Sequence, residues 1–307
     1  MFHGKLDLPS RKLRFAQSTL FTVALLIFIV ATRWPLAPRY LYYFDSANFA
    51  LALEDFNPAL HQPQPPGYPL FVGLMRLIHV WVNSAERVQL IAGLLAAFAA
   101  VILIRILAAD LFGRAAGFLA AALLASDPVF WFSGITNQIR VFLALISVGI
   151  ASLAWRALTR PDGPVWLYAG FAALGVAAGF RPVETGLLLP LMLWVWYRTG
   201  HSLRRLAIAI FALSAATVPW LFAILDVVGG PKRLLGILWD YANVQFAGSS
   251  AAFGAPAGSA YRMFLWAVVW NFVGALVWLW AAPLGFRRLL KSGWREKAAL
   301  LAGVYKI

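Results

Sequence analysis

The sequence predicts an all-α polytopic membrane protein, a transmembrane helix bundle of about 8–9 spans with juxtamembrane helices in its first outer loop. Three observations carry the bundle. Apolar runs of about 20 residues recur along the chain, each long enough to cross a hydrocarbon core about 30 Å thick. Apolar residues make up 62% of the chain and charged ones only 12%, against about 25% in soluble domains. The basic residues of this +14 chain gather between the apolar runs, which favours membrane orientation over nucleic-acid binding. With no Cys present, disulfides, thiolate metal sites and Cys nucleophiles are excluded.

Lys5, Arg11, Lys12 and Arg14 precede an apolar run that reaches Val30. Arg33-Trp34-Pro35 follows it where a signal peptide would place small residues, so a retained first span is expected at 15–36. The first outer loop is expected over about 37–85, and its stretch 42–71 is poor in uninterrupted apolar sequence. That stretch collects Asp45, Glu54, Asp55, His61 and the prolines Pro58, Pro63, Pro65, Pro66 and Pro69.

Read as a helix, Asp45–Phe56 puts Phe49, Leu53 and Phe56 on one stripe. Asp45, Asn48, Ala52 and Asp55 form the stripe beside it, with carboxylates directed into an aqueous cleft. A plainer role stands beside a chemical one: Asp45 or Ser46 as an N-cap, worth about 1 kcal/mol. Residues 65–82 are apolar but short and hold Arg76 and His79, which reads as an interfacial helix whose polar atoms reach water.

Further spans are expected at 86–108, 115–131, 136–158, 164–180, 183–198, 205–226 and 261–283, with a ninth starting near Ala298. Arg181-Pro182 makes a tight hairpin of two of them, and Gly248–Ala260 reads as a flexible small-residue outer loop. The whole of 1–307 reads as a single transmembrane domain without a soluble one. The 14 tryptophans sit mostly near span ends, as interfacial anchors do.

With the N-terminus in the cytoplasm, every inner segment is basic. These segments hold Arg105 and Arg114, Arg156 and Arg160, Arg198, Arg204 and Arg205, and the run from Arg287 to Lys297. Of the acids only Asp7, Asp110, Asp162 and Glu296 fall inside. The stretch 42–71 is therefore expected on the periplasmic or external side.

The order Phe44-Asp45-Ser46, then Gln64-Pro65-Pro66-Gly67-Tyr68-Pro69-Leu70, resembles the first outer loop of GT-C membrane glycosyltransferases. Two branches share it: the protein O-mannosyltransferase-like group and the aminoarabinose-type lipid A transferases. The likeness continues at Glu86-Arg87, Leu111-Phe112-Gly113-Arg114, Ser126-Asp127-Pro128-Val129-Phe130-Trp131 and Gly179-Phe180-Arg181-Pro182. It covers roughly residues 40–200.

The resemblance implies an inverting transferase of a bacterial inner membrane. Its donor would be a polyprenyl-phosphate-linked sugar, and its acceptor a protein, lipid or glycan hydroxyl at the outer face. Such chemistry needs a base for the hydroxyl and cations for the departing phosphate. Asp45 matches the family's loop aspartate and is the candidate base. Arg181 and Arg140 are candidates for the phosphate, and Glu54, Asp55, His61 and Tyr68 are possible accessories. For Arg181, a snorkelling anchor at a helix end remains an equal reading.

Two departures stand out. No second acid follows Asp45, where the chain reads Ser46-Ala47-Asn48, and Thr136-Asn137-Gln138-Ile139-Arg140 lacks the carboxylate many relatives carry. Arg140 has a further role open to it, pairing with Asp127. No metal site is expected, because His3, His61, His79 and His201 are scattered. The rival to an enzyme is a non-catalytic carrier or flippase for a lipid-linked saccharide, which would carry charges near the bilayer midplane or broken helices.

Overall fold

The structure, a computed structural model, describes residues 11–136 and 138–249, with scattered positions between 258 and 272. The expected span 261–283, the expected start near Ala298 and most of the Gly248–Ala260 loop lie outside the described residues.

The described chain is helical. It runs α1 (Arg11–Arg33), α2 (Phe44–Glu54), a 3-10 turn (Pro58–Leu60), α3 (Pro69–His79), α4 (Ala85–Phe112), α5 (Arg114–Ser126) and α6 (Pro128–Thr136). It continues with α7 (Ile139–Thr159), α8 (Gly163–Phe180), α9 (Pro182–Arg198), α10 (Leu203–Val228) and α11 (Pro231–Ser249).

Local sequence sets most of these ends. Pro69 and Pro182 open α3 and α9 at a position where a missing N–H costs nothing. Ser84 caps α4 by accepting from the Arg87 N–H, and Gly229 closes α10 in the left-handed region at φ 82°.

Four helices (α4, α7, α8 and α10) are long and apolar enough to cross a bilayer, as an integral membrane protein requires. The expected straight span at 115–131 is instead two helices, α5 and α6, bent by 51°. Pro128 forces the break, and Asp127 Oδ1 caps the new helix by accepting from the Phe130 N–H at 2.8 Å. Counted as one span, the bent pair brings the number to 5 among the described residues. The expected span at 183–198 is the 17-residue α9.

Helix α4 is the axis of one half of the bundle, packed by α1, α3, α5 and α7. Its run of Ala92, Ala96, Ala97 and Ala100 is almost fully buried, so neighbouring backbones approach closely. In the other half α8 packs on α7, α9 and α10. A Cβ on Gly175 would lie 2.5 Å from the Leu213 carbonyl oxygen, and Trp220 Nε1 donates to the Gly175 carbonyl at 3.0 Å. The α8–α10 seam therefore closes on bare backbone. Gly175→Ala should cost about 1–3 kcal/mol through overpacking, measured by denaturant unfolding in detergent. Unchanged stability would mean that the two helices separate without penalty.

Candidate active site

Helices α4 and α7 begin, and α8 ends, at the same end of the bundle as α2 and the start of α3. An aromatic ladder ties these pieces together. Tyr68 meets Phe49 at 5.4 Å, Phe49 meets Phe71 at 4.8 Å, and Phe71 meets Phe142 at 5.3 Å, all edge to face. Phe142 then stacks on Phe180 at 5.0 Å. Phe49, Phe71 and Phe142 are buried, and each such contact adds about 0.5–1.5 kcal/mol beyond area burial. The ladder has a positional consequence. Phe49 lies one helical turn from Asp45, and Phe180 immediately precedes Arg181, so the two candidate residues are set from one rigid stack.

Both act on the same phenols. Burial pushes the Tyr68 hydroxyl up to about 12; the Arg181 cation opposes the shift, while Tyr241 and the Asp45 carboxylate add to it. Tyr241 is raised as well, by burial first and then by Asp45, with Arg181 again opposing. Asp45, Tyr68, Arg181 and Tyr241 thus form one electrostatic cluster drawn from α2, α3, the α8–α9 joint and α11. At neutral pH both phenols keep their protons, the form in which a tyrosine hydroxyl can donate a hydrogen bond.

Tyr68 is held in an unusual backbone state, φ 45° and ψ 52°, just after Gly67 at φ 98°. The left-handed region costs a non-glycine residue roughly 1–2 kcal/mol. The two residues turn the chain into α3, and the Phe49 contact holds the ring over the ladder.

The capping role for Asp45 and Ser46 does not hold. Tyr43 occupies the N-cap of α2 with no side-chain cap bond, and Asp45 lies in the first turn. Ser46 instead donates to the Thr136 carbonyl at 3.1 Å, reaching the α6–α7 break. The open polar stripe is also corrected. Asp45 is half-buried, and Asn48 and Ala52 on its stripe are buried because α3 and α4 pack across α2. Asn48 Nδ2 finds no hydrogen-bond partner, leaving a donor one turn from Asp45.

Glu54 and Asp55 are exposed at the far end of α2, about 14 Å along the axis from Asp45 at 1.5 Å per residue. His61 is exposed in the left-handed region, its ring edge-on to Tyr241 at 5.7 Å, which puts it at the rim. Arg140 is exposed and lies over the Tyr43 ring at 5.8 Å, close to the start of α2. Asp127, considered as its partner, uses a carboxylate oxygen to cap α6. Arg76 does more than reach water. Its Nε and Nη2 donate to the Ala52 carbonyl at 3.2 and 3.0 Å, satisfying the open end of α2.

No protein-family model matches the chain, and no curated protein or solved structure matches it.

Two members of this region lie outside the set of residues expected from the sequence. Tyr241 lies on α11, in a segment read only as outer loop; Gly229-Gly230-Pro231 followed by Leu234, Leu238 and Tyr241 at helical spacing was the available signal. Arg33, expected only as a flank of the first span, is fully buried. Its Nη2 donates to the Ala125 carbonyl at 3.2 Å, and its guanidinium lies over Phe130 at 5.6 Å. Gly134 admits it, with Arg33 Nε 3.0 Å from where a Cβ would stand. No pattern in the sequence distinguishes a buried Arg33 from an interfacial one.

Proposed function

We propose that the chain is a GT-C-type membrane glycosyltransferase. It moves a sugar from a polyprenyl-phosphate-linked donor to an acceptor hydroxyl at the outer membrane face, with inversion. The observation that supports this reading is that Asp45 and Arg181, far apart in sequence, both act electrostatically on the Tyr68 and Tyr241 phenols. An acid and a cation held at one helix-bundle mouth are the two groups the reaction needs.

In the proposed step the acceptor oxygen attacks the anomeric carbon from the face opposite the phosphate. Its proton passes to Asp45. The anomeric carbon–oxygen bond breaks, and its electron pair stays on the departing lipid phosphate. Arg181 offers that phosphate a planar, bidentate donor fork, and the protonated phenols donate beside it. Asp45 contributes as a general base, an effect of about 10²–10⁴-fold in rate.

The carrier reading keeps one observation of its own: the α5–α6 break with the buried Arg33 seated beside it. Mass spectrometry of envelope glycans and lipids from a deletion strain separates the two readings, paired with reporter fusions after Gln62 and Arg160. A transferase predicts loss of one sugar from one acceptor, with Gln62 external and Arg160 cytoplasmic. Lipid-linked saccharide accumulating on the inner leaflet would favour the carrier, and a cytoplasmic Gln62 would put the proposed site on the wrong side.

A further inference from the structure

A second polar recess lies across the first turn of α2 from Asp45. Its walls are the 37–42 linker, the first turns of α4 and the α6–α7 break, and it is lined by Tyr40, Tyr42, Ser46, Glu86, Gln89 and Gln138 among others. Asp45 does not line it. The cavity volume is about 50 Å³, room for a few water-sized groups and no more.

Its floor is built and partly unsatisfied. Gln89 is 1% exposed and donates through Nε2 to the Ser46 carbonyl at 2.8 Å, and Ser46 in turn holds the Thr136 carbonyl. Gln138 is 6% exposed, and its Oε1 has no hydrogen-bond partner. A buried amide oxygen without a partner favours a ligand that brings a donor to it. Glu86 engages Ser84 through one carboxylate oxygen at 2.7 Å. Two phenol rings, Tyr40 at 68% and Tyr42 at 54% exposure, flank the opening.

Carboxamides at the floor, with a carboxylate and two phenols among the more exposed lining residues, match one class of ligand: a ring with hydroxyls on its edge and C–H groups on its face. The floor admits hydroxyls, and the rings cover the apolar face. We infer that this recess is a saccharide-binding subsite, separate from Asp45, that grips the hydroxyl edge of a sugar in the acceptor or the donor. The inference rests on the transferase reading for its place in the reaction, but the binding itself does not.

The test uses the full chain in detergent micelles and saturation-transfer difference NMR. The probes are methyl gluco-, manno- and galactopyranoside, with cyclohexanol as the control. At least one glycoside should receive saturation well above cyclohexanol. Gln138→Leu should weaken its binding about 2–10-fold, the equivalent of one neutral hydrogen bond. Tyr40→Leu should weaken it similarly, and being exposed it carries the test if Gln138→Leu does not fold. Asp45→Asn should bind as the wild type does. Displacement of the glycoside by a polyprenyl-phosphate sugar assigns the subsite to the donor, and persistence assigns it to the acceptor.

No glycoside signal above cyclohexanol would overturn the subsite while leaving the transferase reading to its own test. Loss of binding in Asp45→Asn equal to that in Gln138→Leu would also overturn it, by placing the sugar at Asp45. Conversely, normal sugar transfer by Asp45→Asn would remove Asp45 from the proposed reaction and leave the saccharide subsite standing.

Discussion

Asp45→Asn should insert and fold normally, yet lose sugar transfer by about 10²–10⁴-fold, the usual loss of a general base. The substitution keeps the side chain's size in a half-buried position at the start of α2. Asparagine has no carboxylate to accept the acceptor's proton. Since Asp45 makes no cap bond, its structural loss is limited to the interaction of a first-turn acid with the helix N-terminus, about 0.3–1 kcal/mol. Transfer in proteoliposomes and denaturant unfolding of the same preparation separate the two contributions. Wild-type transfer by this variant would leave the proposed reaction without its base.

Arg181→Ala should lower transfer by about 10²–10³-fold, the range seen when one preorganised donor to a developing anion is removed. Arg181→Lys should fall between this variant and the wild type, because lysine keeps the charge but loses the planar fork. The cation opposes the upward shift of Tyr68 and Tyr241, so its removal should raise both phenols further. Equal, full activity in the two variants would return Arg181 to the role of an interfacial anchor. A phosphate role predicts a larger effect on the donor's KM than on the acceptor's.

Helical periodicity makes α2 legible, since Phe49 and Leu53 recur at turn spacing and become buried, while α3 is legible as the short apolar run within 65–82. The bend at Ser126-Asp127-Pro128 was written in the proline, but hydropathy alone joins α5 and α6 into one apolar run. Asp45 and Arg181 were legible as residue types at span ends. Their shared environment was not, because it depends on the ladder through Phe71 and Phe142, and a pattern along the chain does not report contacts across helices. Tyr241 escaped for a related reason. Its helix is short of the apolar content that marks a span, so its place over His61 arises from tertiary packing.

The buried Arg33 has a consequence for biogenesis. Its carbonyl partner, Ala125, is 92 residues downstream, and Ser46 waits for Thr136 across an interval of 90. At a synthesis rate of about 5–20 residues per second, α1 and α2 leave the ribosome roughly 5–20 s before the helices that satisfy them. Helix α1 is therefore among the last of the described helices to settle. During that interval the Arg33 guanidinium stays at the lipid–water boundary, where its long stem lets it remain hydrated. Assembly of this half of the bundle is then a late docking event, in which the α5–α6 elbow arrives and draws the arginine in.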